Sequence, residues 1–349
     1  MRFAVITQLD TWSASTRHRA VQHVPRLRER LGAVDLLVAR DVPRPRTGPL
    51  GRVLFFGSHG VRYVARWQEL ARRLPEYDAV LVQRGAYPIG PGALARPFEH
   101  YRGRLVLDLD DNLFVRSPSL DERGRVAQWL YGPQQAKRLV ARADQVVVST
   151  TELADALPRR DLDPVVLPTV PDPSAYQQAR HGAVEPVIGW AGTNGGLRYL
   201  DPLREVLGNL RAEQLADVEV VSSRAWAGPS RFRLWTLAEE PTLFARFAVG
   251  IMPLPDTGYT RTKAGFKLLQ YMAAGVPVVA SPVGVNRELV ERSGAGRLAE
   301  TPSDWDRALR ELLADPSLRS ELGQRGREFL EQYADLDGQA DQLAELLAG

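Results

Sequence analysis

The 349-residue chain has no cysteine, which excludes disulfides, thiolate metal centres and a cysteine nucleophile. Its five histidines, at 18, 23, 59, 100 and 181, form neither an HExxH helix motif nor a paired metal-ligand spacing. No apolar run approaches the ~20 residues that a membrane-spanning helix needs. The opening RFAVITQLD reads as a strand rather than a secretory signal. A GxSxG nucleophile elbow, a Walker A sequence and the kinase motif set are all missing. No basic stripe is interleaved with aromatics, so a nucleic-acid partner is not expected.

What is present is a globular composition, 44% apolar and 25% charged, on a chain long enough for two domains. The net charge is +3 and much of the basic excess is arginine. Arginine suits bidentate phosphate contacts; a generally solvated surface is the first reading, and a positive face near anionic lipid or a nucleotide donor the second.

Short apolar strands alternate with amphipathic stretches along the first half. FAVITQL (3–9), VDLLVAR (34–40), VLFFG (53–57), DAVLVQRG (78–85), RLVLDLDD (104–111) and QVVVST (145–150) read as strands. Helical spacing covers 19–32, 63–77 and 121–142, with a Pro- and Gly-rich loop at 41–51. A second run follows: strands at 186–192, 218–222, 249–255 and 276–282, and helices at 198–214, 235–246, 304–314, 316–333 and the C-terminus. This alternation predicts an α/β protein of two doubly wound, mostly parallel sheets. The expected division is 1–170, a proline-containing linker at 171–185, 186–333, and a last helix at 334–349 that either packs on the second domain or crosses back to the first.

Ligands of such sheets bind beyond the carboxyl ends of the strands, where helix N-termini point. That rule selects the candidates. After VIGWA, the sequence Gly192-Thr193-Asn194-Gly195-Gly196 lets backbone approach a ligand and offers N–H groups to phosphate. It is not GxGxxG, so it is no dinucleotide fingerprint. Arg198 and Arg224 follow strands and suit a diphosphate. Lys263 and Lys267, four apart, share one side of a helix start, and Gln270 suits a ribose hydroxyl. In the first half, Asp108, Asp110 and Asp111 end a strand. They suit hydroxyls, arginine partners such as Arg17 and Arg19, a base, or a divalent cation. No third metal ligand can be named, so no metal site is assigned. Arg17, His18 and Arg19 after the first strand, and His59 after VLFFGS, are candidates for the same end of the sheet.

The stretch FKLLQYMAAGVPVVASPVGVNRELV (266–290) resembles the donor-site segment of GT-B glycosyltransferases of the retaining, family-4-like group. GWAGTNGGLRYL (189–200), VGIMPLPDT (249–257), DLDDNLF (108–114) and ADQVVVSTTELADAL (143–157) continue the likeness in order. The resemblance implies two Rossmann-like domains facing across a cleft, with the nucleotide-sugar donor on the C-terminal one and the acceptor on the N-terminal one. It implies transfer with retention and no essential Mg²⁺. Asp110, Asp111, Lys267 and Arg198 are then the expected catalytic residues. Gly192, Thr193, Asn194, Gly195, Arg224, Lys263 and Gln270 belong to the donor, and Arg17, His18, Arg19, His59 and Asp108 to the acceptor. The family often carries two glutamates separated by seven residues; Thr262 and Gln270 stand there instead. The resemblance implies an acceptor that is a glycan, a lipid-linked group or a small molecule, in bacterial glycan, glycolipid or natural-product synthesis. The chain is expected in the cytoplasm, with Arg26, Arg28 and Arg30 suggesting contact with the inner membrane face. A catalytically degenerate nucleotide-sugar-binding or scaffold protein, and an epimerase-like relative, are the alternatives.

Overall fold

The computed structural model describes residues 1–38, 65–85, 95–115, 134–159, 161–180 and 185–349. The expected strand at 53–57, the loop at 41–51, His59 and the first part of the helix at 121–142 lie outside them. Two compact units divide the chain, Met1–Thr169 with Leu336–Gly349, and Val170–Asp335.

In the first unit, six parallel strands run in the order β2-β1-β3-β4-β5-β6. They are β1 (Phe3–Thr7), β2 (Val34–Val38), β3 (Ala79–Gln83), β4 (Arg104–Leu109), β5 (Gln145–Val148) and β6 (Val165–Val166). Alternation sends Val80, Val82, Leu105 and Leu107 to one face, against Trp67, Phe98 and Leu139. Phe3, Val5, Leu81 and Val106 face the other side. The helix expected over 19–32 is broken. Helix α1 (Ala14–Arg19) starts earlier, a 3₁₀ turn follows at Val21–His23, and α2 (Val24–Leu31) begins with Pro25 in its first turn, where a missing N–H costs nothing. Helix α3 (Gln134–Arg142) packs on the first face, with Leu139 and Val140 in its core.

In the second unit the order is β12-β11-β10-β7-β8-β9. These strands are β7 (Val187–Ala191), β8 (Asp217–Ser222), β9 (Arg231–Leu234), β10 (Val249–Met252), β11 (Val278–Ala280) and β12 (Gly296–Leu298). All neighbouring strands are parallel. The sequence pattern misses β9 and β12. RFRL alternates polar and apolar residues over only four positions, lies largely exposed at the sheet edge and follows the turn residues Gly228-Pro229-Ser230, and GRL is too short to show a pattern. The helix expected over 198–214 opens as a 3₁₀ helix, Asn194–Leu203, and turns α-helical only after Pro202, in α4 (Arg204–Ala212). The single helix expected at 235–246 is a pair of short turns, Glu240–Leu243 and Phe244–Arg246. Helices α5 (Gly258–Arg261), α6 (Phe266–Ala273), α7 (Val285–Ser293), α8 (Pro302–Ala314) and α9 (Pro316–Tyr333) complete this unit.

The last helix, α10 (Leu336–Ala348), belongs to the first unit. Its Leu343, Ala344 and Leu347 are buried with Val5, Leu81 and Leu27. Residues 171–180, read above as linker, are packed onto the second unit: Tyr176 is 7% exposed and lies 5.8 Å from the Phe244 ring.

Candidate functional site

Each sheet reverses its winding at one place, and there the neighbouring strands diverge beyond their carboxyl ends. In the second unit this is between β7 and β10. These two pair over only two residues, Val249 with Ile188 and Gly250 with Gly189. The two glycines face each other for a packing reason. A Cβ on Gly189 would come within 2.1 Å of the Phe247 ring, and one on Gly250 within 2.5 Å of the Tyr271 ring. Tyr271, fully buried on α6, reaches the gap where the strands part. Its hydroxyl accepts from Ala191 N–H at 3.3 Å and lies 3.4 and 3.3 Å from the carbonyls of Gly189 and Ile251. Burial pushes the Tyr271 phenol up from its ordinary value, so it stays a neutral donor.

One turn earlier on α6 is Lys267. Its ammonium lies 5.3 Å from the centre of the Trp190 ring, a cation–π distance. Its stem runs past Gly192, where an added Cβ would meet Lys267 Cε at 2.7 Å and Trp190 Cη2 at 2.7 Å. Thus Gly192, Trp190 and Lys267 form one packed group at the end of β7. Helix α6 begins at Gly265, whose φ of 63° is in the left-handed region. Its positive N-terminal end lies beside the lysine. Lys263 also carries a cation–π contact, 4.5 Å over Tyr259 on α5.

The rest of the GTNGG turn is held from below. Asn194 Oδ1 accepts from the hydroxyls of Ser222, at 3.2 Å, and Ser223, at 2.9 Å, which ties the turn to the end of β8. Thr193 and Asn194 are exposed, and Gly192, Gly195 and Arg198 half-buried. Arg224 is exposed beyond β8, with no ion pair among the described residues. Nearby Trp226 is buried in the core, its Nε1 donating to Asp201 at 2.9 Å.

Two positions of the donor segment have internal partners. Gln270 is only 7% exposed, and its Nε2 donates to the Tyr176 hydroxyl at 3.1 Å. Thr262 is 4% exposed and donates to the Tyr259 carbonyl at 3.0 Å. The residues standing where the resemblance places glutamates are therefore engaged internally.

In the first unit the winding reverses between β1 and β3. Here Arg19 and Asp108, expected beside a ligand, are instead buried against each other. The Arg19 Nε donates to both Asp108 oxygens at 3.1 Å, and the guanidinium also bonds the Leu167 carbonyl. The carboxylate raises the Arg19 pKa against the opposing pull of burial; burial pushes the Asp108 carboxyl up while Arg19 draws it down. The pair joins β4 to the chain leaving β6. Arg17 closes its own loop by donating to the carbonyls of Thr11 and Trp12, both at 3.1 Å. The His18 Nδ1 lies 3.3 Å from Gln22 Oε1. Asp110 and Asp111 are brought together by a residue the sequence did not single out: Arg84 reaches both, at 3.3 Å each. Gln83 beside it is fully buried and donates to Ser15 Oγ at 2.5 Å. Among the described residues no group of three or more His, Asp and Glu side chains is arranged to hold a metal ion.

Arg26, Arg28 and Arg30, which suggested a membrane-facing patch, are used within the unit. Arg26 pairs with Asp337, Arg30 with Asp337 and Asp341, and Arg28 donates to the Val34 carbonyl at 3.0 Å. No helix among the described residues is long and apolar enough to cross a membrane.

Residues 209–315 match the family of Glycosyl transferases group 1. Over almost the whole chain the structure is similar to three solved glycosyltransferase-fold proteins. Sucrose-phosphate synthase from Thermosynechococcus elongatus is 14% identical, with a TM-score of 0.65 over 99% of this chain and 98% of that one. WaaG, a glycosyltransferase involved in lipopolysaccharide biosynthesis, is 15% identical, with a TM-score of 0.67 over 99% and 100%. HepE from Anabaena, solved with UDP and glucose, is 16% identical, with a TM-score of 0.66 over 100% of both. No curated protein matches the chain by sequence. The fold is GT-B, with two parallel six-stranded α/β sheets.

Proposed function

We propose, from a chain with the GT-B fold and a Glycosyl transferases group 1 segment at 209–315, that the protein transfers a sugar from a nucleoside-diphosphate sugar to an acceptor hydroxyl. The donor binds the second unit at the parting of β7 and β10. The observation carrying this reading is Lys267, packed along Gly192 beside the N-terminal end of α6. There a cation, a helix end and close-approaching backbone share one crevice.

As the bond from the anomeric carbon to the diphosphate oxygen breaks, negative charge gathers on the departing diphosphate. Lys267 and the backbone of 192–196 stabilise that charge, with Arg198, Arg224 and Lys263 as flanking contacts. Loss of one such contact costs roughly 10²–10³ in rate. Asp110 or Asp111 of the first unit accepts a hydrogen bond from the acceptor hydroxyl and takes up its proton as the hydroxyl oxygen bonds the anomeric carbon. Retention of configuration and independence from Mg²⁺ are part of the proposal, resting on the resemblance. So are a glycan, lipid-linked or small-molecule acceptor and a cytoplasmic site of action.

A second reading, a nucleotide-sugar-binding protein without turnover, is favoured by Thr262 and Gln270, neither of which offers a carboxylate. One experiment separates the two. Wild type and Lys267→Met are screened by thermal shift against UDP, GDP, ADP, dTDP and their glucose conjugates, with Mg²⁺ or EDTA. Release of free nucleoside diphosphate is assayed on the binders. The expected result is Lys267-dependent binding with turnover in EDTA. Binding without turnover on any acceptor selects the second reading, and no binding rejects both.

A further inference from the structure

We infer that Arg84 is the positioning residue of the acceptor site, held in a strained turn so that its guanidinium spans Asp110 and Asp111. This deepens the function proposed above and rests on it.

The first observation is backbone geometry. Arg84 has φ of +67°, one of only two non-glycine residues with positive φ among the described residues. Gly85 N–H donates to the Gln83 carbonyl at 2.9 Å across it. This bond, with that φ, makes the rarer and strained form of γ-turn. Such conformations persist only where surrounding structure imposes them, and they cluster at functional sites. Here the constraints are visible. Arg84 N–H donates to the Asp108 carbonyl at 2.7 Å, extending the β3–β4 ladder by one bond. Gly85 lies against the end of β1, where an added Cβ would be 3.0 Å from Gln8 Nε2.

The second observation is what the turn achieves. Strand alternation would send residue 84 after Val80 and Val82 into the apolar layer with Trp67 and Phe98. The turn takes the side chain off that face and carries it to the carboxyl end of β4. There one nitrogen lies 3.3 Å from Asp110 Oδ1 and another 3.3 Å from Asp111 Oδ2. All three side chains keep partial access, at 19%, 12% and 24% exposure. That access distinguishes the group from the Arg19–Asp108 pair, whose side chains are both under 5% exposed.

The third is position. The group lies beyond the carboxyl ends of β3 and β4, the edge at which open α/β sheets take ligands. One guanidinium between two carboxylates leaves the group net negative, which disfavours a phosphate and suits a hydroxyl donor. The ligand class is therefore a neutral polyol such as a sugar.

The test uses full-length wild type, Arg84→Gly, Arg84→Ala and Arg84→Lys. Glycine and alanine remove the guanidinium equally, but only alanine keeps the backbone strain, so Arg84→Gly is expected to melt above Arg84→Ala. With UDP-glucose, or whichever conjugate the wild type binds best, transfer to a panel of neutral methyl glycosides is followed by mass spectrometry. Both truncations are expected to raise the acceptor KM at least tenfold, leaving donor KM and nucleotide affinity within twofold. Arg84→Lys is expected to recover part of the loss. The inference is overturned if Arg84→Gly melts below Arg84→Ala, or keeps the wild-type acceptor KM. It is also overturned if donor affinity falls as far as transfer, or if wild type cleaves the donor but accepts no neutral glycoside. Failure of wild type to bind or cleave any nucleotide sugar is a separate result: it removes the function proposed above and this inference with it.

Discussion

Lys267 and Gly192 are fitted to each other: a single methyl at 192 would stand 2.7 Å from the lysine Cε. The lysine end is flexible, but the same methyl would stand 2.7 Å from Cη2 of the buried Trp190 ring, so Gly192→Ala is expected to displace the ammonium and to lower Tm as well. Nucleotide affinity, measured well below the variant's own Tm, should fall at least tenfold. Calorimetric titration with UDP, beside a thermal melt, checks this. Wild-type affinity in Gly192→Ala would separate Lys267 from the donor.

Tyr271 holds the same helix in place from inside the sheet. Its hydroxyl serves the Ala191 amide and two carbonyls in the gap between β7 and β10. Removing one buried partner costs about 1–3 kcal/mol, because the groups left behind lie beyond the reach of water. Tyr271→Phe should therefore lose about that much in urea unfolding. It should also weaken nucleotide binding, since Lys267 lies one turn away on α6. A variant as stable as wild type would show that other groups satisfy the gap.

These two residues show where the sequence was readable and where it was not. KAGFKLLQYMAAG displays its lysines and its glycine stop in one local window, so the helix and its cation could be read from spacing. Gly189 and Gly250 look like ordinary strand glycines. Only the parallel register that sets them side by side reveals that they admit Phe247 and Tyr271. Arg84 was hidden for the same reason. Nothing local marks a strained turn, and its partners are 26 and 27 residues away. A pairing of Arg19 with Asp108 was one of several the sequence left open, and their burial depends on the segment at 167–169 closing over them. The edge strand β9 was missed because its alternation, RFRL, spans only four residues.

His23 makes stability depend on pH. Buried beside α2, its imidazole is held down to about 3, first by desolvation and then by the nearby charges of Arg19 and Arg26. The folded chain keeps it neutral, whereas the unfolded chain protonates it below about pH 6.5. The unfolded state then binds more protons, so stability falls as pH drops below 6.5 toward the folded value. The slope is at most about 1.4 kcal/mol per pH unit for one proton. Urea unfolding at pH 7.5, 6 and 5 should show this decline in wild type and a flatter one in His23→Gln. Equal slopes would assign the acid sensitivity to other groups.

The C-terminal helix should matter for its apolar face far more than for its charges. Arg30 joins Asp337 and Asp341, but these carboxylates are 70% and 59% exposed, so water and salt screen them. Arg30→Ala is accordingly expected to leave Tm nearly unchanged. Leu336, Leu343 and Leu347 are each under 7% exposed, the last two within the core that also holds Val5 and Leu81. At about 1.5–3 kcal/mol for each buried leucine, the three contribute on the order of 5–9 kcal/mol. That is comparable to the whole stability of a typical domain. Ending the chain at Asp335 should therefore unfold the first unit. Hydrogen exchange would show β1, β3 and β4 unprotected while β7 and β8 keep their protection. Native protection of β1 in the shortened chain would mean that α10 is dispensable to the sheet it covers.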